Sequence, residues 1–432
     1  MIKKIRGIAK TELIRTSFFT SIAVFVRIVA AFVLNKVVAL YVGPAGVAVV
    51  GQFNNFFAVL NTLSTAGINA GVVKSIAENR QNDGYARKVI STAFILTLSC
   101  SLVVSAVVLI FSRVFSVTFF KTEQYNFVLV FIGISLTFAA LNTLLMAFLN
   151  GHKEVVKYTW ANIISSLFIL TFSVLLGIYY KMEGVLVAMV TAQSAVFFIT
   201  LLFVVKSSWF KVEYFFRYFD TGVLRKLSGF SLMAFTTAIA QPLALMVIRN
   251  YLGTKLSWED AGCWQGVYSI SEVYLMFITT SLSVYYLPRL SEITNPAELR
   301  KEILSTAKIV MPVVSLIALV IYLLKGPVVM ILFTGKFTSM FPLFKYQLIG
   351  DVVKIAGFLL AYQMLAKSMI KIYLFTEVLF NLIFVLLVFA LVPLFGLQGA
   401  TLAFFANYVL YLLFLLFYFR KQIFVRWSPV SH

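Results

Sequence analysis

Mostly apolar runs of about 20 residues or more recur along the whole chain, separated by short polar or basic stretches, and each is long enough to cross about 30 Å of hydrocarbon as a helix. The first half reads Leu13 to Tyr41, Ala45 to Val73, Val89 to Phe111, Tyr125 to Leu149, Val156 to Tyr179 and Gly184 to Val205. The second reads Leu227 to Leu252, Trp264 to Leu287, Ile303 to Leu324, Pro342 to Ala366, Lys371 to Pro393 and Leu397 to Phe419. The pattern predicts an all-α membrane protein with about 12 transmembrane helices.

The longest polar interruption, the basic loop Lys206 to Lys226, falls at the midpoint and divides the spans into two sets of six. This gives an expected plan of an N-terminal lobe at 1–205, a basic linker at 206–226, a C-terminal lobe at 227–419 and a tail at 420–432. Ala45-Gly46 opens the second span and Ala261-Gly262 opens the eighth, 216 residues later, and Lys36 and Arg249 each end the helix before. Two six-helix lobes related by a pseudo-two-fold along the membrane normal are expected to place a central cavity between them.

Composition agrees with the pattern. With 61% hydrophobic and 12% charged residues, the chain falls outside the range of soluble domains, in which about a quarter of residues are charged. The formal charge of +20 invites a nucleic-acid reading, but the positive-inside rule accounts for it. With the N-terminus inside, only 6 Lys/Arg fall in external loops. Both termini are then cytoplasmic, with Lys3, Lys4, Arg6 and Lys10 at one end and Arg420, Lys421 and Arg426 at the other. The first span is too long for a signal-peptide core and is expected to be retained. Cys100 and Cys263 imply free thiols rather than a disulfide framework.

Charge inside the spans is predominantly basic. Arg27 lies near the centre of the first span, where a charge costs about 3 kcal/mol on insertion scales and normally faces protein or water. Lys36 and Arg249 sit nearer the outer ends of their segments, where snorkelling to the interface is the competing account. Lys345 and Lys354 lie in the tenth span, and the acids are Glu272, Asp351 and Glu377. This asymmetry favours an anionic passenger.

Helical spacing arranges the polar residues. In the second span Asn55, Thr62 and Asn69 recur every seven residues with Gln52 nearby, which places them on one face. The eighth carries Gln265, Ser269, Glu272, Thr279 and Ser283, and the tenth Gln347, Gly350, Asp351, Lys354 and Gly357. Three polar faces suggest a shared wet cavity, although small and amide residues also pack and bond helices together, and Asp351 and Lys354 are spaced to satisfy each other. Arg27 and Lys36, nine residues apart, face opposite sides of an ideal helix and share a cavity only if it bends. Pro242 and Pro312 interrupt spans, and each is a candidate hinge or a static kink.

Catalytic signatures are missing. His152 and His432 are the only histidines, too few for a histidine metal motif or a Ser-His-Asp set. Gly335-Lys336-Phe337-Thr338 lacks the upstream glycine of a nucleotide-binding loop and the Ser/Thr directly after lysine. The expectation is a transporter rather than an enzyme, with no metal and no cofactor.

Leu256 to Thr294, LSWEDAGCWQGVYSISEVYLMFITTSLSVYYLPRLSEIT, together with VGPAG at Val42 to Gly46, Lys336-Phe337-Thr338 and QLIGDVVK at Gln347 to Lys354, resembles the Wzx-type lipid-linked oligosaccharide flippases. These belong to the multidrug/oligosaccharidyl-lipid/polysaccharide exporter superfamily, and the likeness covers nearly the whole chain. It implies movement of an undecaprenyl-pyrophosphate-linked repeat unit, either enterobacterial common antigen lipid III or an O-antigen unit, across the bacterial inner membrane by alternating access. By matching position it implies Arg27, Lys36, Arg249 and Lys354 as pyrophosphate contacts. Asn55, Gln265, Glu272 and Asp351 are the expected polar or coupling groups, and Pro242 and Pro312 the candidate hinges. Membrane potential, H+ or Na+ is the expected driving force, and a polymerase and a chain-length regulator are the partners implied by the family. Two other readings stay open: a cation-coupled multidrug antiporter of the same superfamily, and a membrane polysaccharide polymerase or glycosyltransferase.

Overall fold

The computed structural model describes residues 2–79 and 82–420, with side chains from Ile22 onward except those of Gly229, Phe230, Met233 and Val284. Most of the expected tail at 420–432, with Lys421 and Arg426, lies outside the described residues, as do the side chains of Lys3, Lys4, Arg6 and Lys10.

The described chain is helical: α1 (Ile2–Tyr41), α2 (Pro44–Ser64), α3 (Asn69–Glu78), α4 (Asp83–Ile110), α5 (Ser112–Phe120), α6 (Asn126–Gly151), α7 (Val155–Val205) and α8 (Glu213–Phe216). Then come α9 (Thr221–Lys255), α10 (Trp258–Ser281), α11 (Leu287–Glu292), α12 (Pro296–Leu323), α13 (Lys325–Leu332), α14 (Leu343–Ala366), α15 (Ile370–Phe395) and α16 (Gln398–Tyr418). Among the described residues, 8 helices are long and apolar enough to cross a membrane, and α2 with α3 forms a further bent pair. The chain is a multi-pass membrane protein. Its expected fifth and sixth spans are fused within α7, where Lys181 leaves the helical region at φ 51°, ψ −131°. The more polar α9 and α10 occupy the seventh and eighth, so the architecture is consistent with twelve.

The second span differs from expectation. It breaks between Ser64 and Asn69 with a bend of 51°, because Ala66 and Gly67 adopt positive φ of 50° and 62°. Gly67 lies against the Phe235 ring, and an added Cβ would come within 2.8 Å of it. The eighth span ends in a π-turn, Leu282–Tyr286. Gly335-Lys336-Phe337-Thr338 falls in a 3-10 turn, Gly335–Met340.

The chain divides into two compact units. Unit 1 holds residues 1–42 and 52–242, and unit 2 holds 43–51 and 243–432. In unit 1, α6 packs on α3, α4 and α7, while α1 packs on α7. Its core joins Ile76, Ile90 and Phe148 with Phe215 and Val223, so part of the 206–226 stretch is packed into this unit. Lys88 pairs with Asp220 at 2.7 Å, and the backbone N–H groups of Tyr218 and Asp220 donate to Ser91 and Thr92. In unit 2, α14 is central, packed against α10, α11, α12, α15 and α16.

Candidate functional site

Unit 2 concentrates buried charge. Arg249, near the end of α9, is only 1% exposed, so its guanidinium does not reach out to the interface. It donates from Nε to Gln265 Oε1 at 3.2 Å and bonds the same oxygen through a terminal nitrogen. The guanidinium carbon lies 5.8 Å from the centre of the Trp264 ring, within cation–π range. Gln265 Nε2 passes the polarity on, donating to Ser269 at 2.9 Å. The start of α10 is fixed by Ser257, whose hydroxyl accepts from the Asp260 N–H at 3.0 Å, a local cap for the helix N-terminus.

Residues 43–51 of α2 lie against this face of α10. A Cβ at Gly51 would stand 2.6 Å from the Gln265 amide carbon, so glycine there leaves the space that Gln265 uses to meet Arg249. Gly262 likewise lies against the Pro44 carbonyl, closer than any side chain permits.

On α14, Gln347, Asp351 and Lys354 share one buried face. Asp351 is fully buried, accepting from the Tyr274 hydroxyl at 2.7 Å and from Gln347 Nε2 at 3.3 Å. The Lys354 ammonium lies 5.3, 5.5 and 5.9 Å from the ring centres of Tyr408, Phe358 and Phe404, within cation–π range. Among the described residues no ion pair joins Asp351 to Lys354. Each side chain instead has its own neutral neighbours: Tyr274 and Gln347 at Asp351, and three aromatic rings at Lys354. Glu272 is exposed, bonded to Tyr268, and feels the charges of Lys354 and Arg249. Glu377 on α15 also lies near Lys354. Unit 2 therefore holds Arg249, Gln265, Glu272, Asp351 and Lys354, with Arg249, Gln265 and Ser269 forming one hydrogen-bonded group and Asp351, Tyr274 and Gln347 another.

The unit 1 candidates are arranged differently. Arg27, at the middle of the first apolar run, is exposed rather than enclosed, while Lys36 and Asn55 are half-buried. The helix carrying both cations runs unbroken over 40 residues. The expected stripe Asn55, Thr62, Asn69 is interrupted, since Asn69 belongs to α3 beyond the bend. Thr62 bonds the Ala58 carbonyl of its own helix, and Gln52 donates to the Phe119 carbonyl at 2.8 Å. Lys345 is exposed beside the Tyr346 ring. Pro242 lies within α9 at the last residue of unit 1, and Pro312 is exposed within α12. Among the described residues, no cluster of His, Cys, Asp and Glu is placed to hold a metal ion.

Sequence reasoning missed Tyr274 and Tyr408, hidden among 20 tyrosines. Their signal is a hydroxyl buried one or two helices away from a charged residue, which only tertiary contact reveals. Gly350 and Gly357, read as part of a polar stripe, instead admit the rings of Phe404 and Tyr411.

Comparison with known proteins adds a family. The one described as "Polysaccharide biosynthesis protein" matches residues 13–294. The chain is 32% identical over 403 residues to a "Lipid III flippase" of Escherichia coli (strain K12), covering 92% of this chain and 96% of that protein. It has the same identity and coverage with a "Lipid III flippase" of Shigella flexneri. Among solved structures it resembles an inward-facing multidrug resistance MATE family transporter of the MOP superfamily, with TM-score 0.78 and 13% identity over 92% of this chain and 94% of that one. At that identity the likeness is one of fold.

Proposed function

This chain belongs to the polysaccharide biosynthesis protein family, within the multidrug/oligosaccharidyl-lipid/polysaccharide exporter superfamily, and we propose that it flips undecaprenyl-pyrophosphate-linked oligosaccharide units from the cytoplasmic to the periplasmic leaflet of a bacterial inner membrane. The identity with lipid III flippases along nearly the whole chain carries this reading. Lipid III or an O-antigen unit is the proposed substrate, both termini face the cytoplasm, and a polysaccharide polymerase with its chain-length regulator receives the product. The work is transport rather than catalysis.

Arg249 and Lys354 are the proposed pyrophosphate contacts of unit 2, and Arg27 and Lys36 those of unit 1. A guanidinium offers forked charge-assisted hydrogen bonds to phosphate oxygens. A head group with about two negative charges is driven outward by a potential of about 100 mV, inside negative, and gains roughly 4 to 5 kcal/mol. Glu272, exposed beside both cations, and buried Asp351 are the proposed sites for H+ or Na+ coupling.

Complementation of a flippase-deficient bacterium tests the reading. Surface glycan should return, and lipid-linked units should stop accumulating in the cytoplasmic leaflet. Arg249→Ala should fail at matched protein levels. Efflux of organic cations without glycan rescue would instead favour the multidrug antiporter.

A further inference from the structure

Within unit 2, away from the charged network, α12, α14 and α16 enclose an open groove of about 250 Å³. Its walls include Leu299, Ile303, Ala307, Met311, Leu359 and Leu360. The one charged residue lining it is Arg300. The neighbouring carboxylates are already engaged: Arg289 meets Glu292, Glu298 and Glu302 at 3.5, 3.1 and 3.8 Å. Arg300 makes no hydrogen bond or ion pair among the described residues. An uncommitted guanidinium thus stands at the end of an apolar trough.

We propose that this groove binds one anionic phospholipid of the cytoplasmic leaflet, its phosphate on Arg300 and one acyl chain lying between α12, α14 and α16. The inference rests on the orientation proposed above, which places the start of α12 on the cytoplasmic side. Three observations favour this occupant. Arg300 complements an anionic head group, and basic pockets between helices on the cytoplasmic side are the usual sites for such lipids. From Leu299 to Met311 the groove runs roughly 18 Å along α12 at 1.5 Å per residue, close to the roughly 15 Å hydrocarbon depth of a single leaflet. A polyprenyl chain of many repeats would overrun it.

The test uses the full-length protein in mixed micelles of phosphatidylglycerol and phosphatidylcholine, with retained lipid counted by native mass spectrometry. One phosphatidylglycerol should be retained in preference to phosphatidylcholine. Arg300→Gln should weaken that preference by about fivefold, as expected for one cation near the membrane surface. Ala307→Trp, which fills the trough, should lower retention of both lipids. An unchanged preference in Arg300→Gln would overturn the head-group assignment, and this surface change leaves the helix core intact. Undecaprenyl phosphate that competes phosphatidylglycerol out of the groove would overturn the occupant. Orientation is read separately: Arg300→Cys should react with an impermeant thiol reagent only in inverted vesicles, and reaction in intact spheroplasts would overturn the leaflet while leaving the transport assay untouched.

Discussion

Gly262 of α10 lies directly against the carbonyl of Pro44, the first residue of α2, so that even a methyl group there would overlap backbone. Backbone cannot swing aside as a side-chain tip can. Gly262→Ala should therefore cost about 1 to 3 kcal/mol, the usual range for overpacking. The thermal unfolding midpoint in detergent measures it, and a midpoint equal to the native protein's would show that α2 and α10 separate freely.

Gly51→Ala is expected to act differently. Its added carbon meets the tip of Gln265, which moves only by giving up its bonds to Arg249 and Ser269. Transport should fall roughly tenfold, equivalent to about 1.4 kcal/mol, with a smaller loss of stability than Gly262→Ala. A flipping assay in proteoliposomes, paired with Gln265→Leu, checks the route: if Gln265 carries the effect, the two changes together should cost little more than either alone.

Tyr274→Phe removes the shorter of the two hydrogen bonds to buried Asp351. Leaving a buried polar group without its partner costs about 1 to 3 kcal/mol, and stability should drop by that order. Glu272→Gln should leave stability nearly unchanged, because the side chain is exposed, yet abolish acceleration by an imposed proton gradient. Proteoliposomes energised separately by pH and by potential distinguish the two, and an intact proton response in Glu272→Gln would remove it as the coupling group.

At the end of the α6–α7 loop, burial pushes the Glu154 carboxyl up, but bonds from Lys157, Ser207 and Trp209 outweigh it and hold the group below its ordinary value of 4.5. A carboxylate lowered by folding stabilises the native state above its unfolded pKa and loses that contribution as pH falls through the folded one. Stability should thus begin to decline as pH drops through about 4.5 and continue below it. Glu154→Gln should be less stable at neutral pH and show a flatter acid limb in thermal unfolding between pH 6 and about 3.

Periodicity and length exposed the membrane class and most of the helices, because a segment that crosses lipid must satisfy its backbone internally and present an apolar surface. Breaks were harder to see. Ala66 and Lys181 both turn the chain through positive φ, and neither residue type advertises that conformation. Asp351 and Lys354 stand out as charges in an apolar segment, but whether they pair is decided by Tyr274 and Tyr408 on other helices. Arg249 and Arg27 looked alike in sequence, yet one is enclosed and the other exposed. Enclosure depends on which helix faces pack together, information that is spread over the whole chain.

The segment 43–51, early in the chain, belongs by contact to unit 2. Chains are made from the N-terminus and generally fold in that order. During synthesis the first two turns of α2 must therefore wait, with Gly43 to Gly51 lacking their eventual neighbours, until Gly262 and Gln265 have been inserted. The second half completes the first by receiving a piece of it. The two halves cannot then mature as independent modules, and a nascent chain stalled before α10 would carry an open seam that chaperones and membrane proteases could recognise.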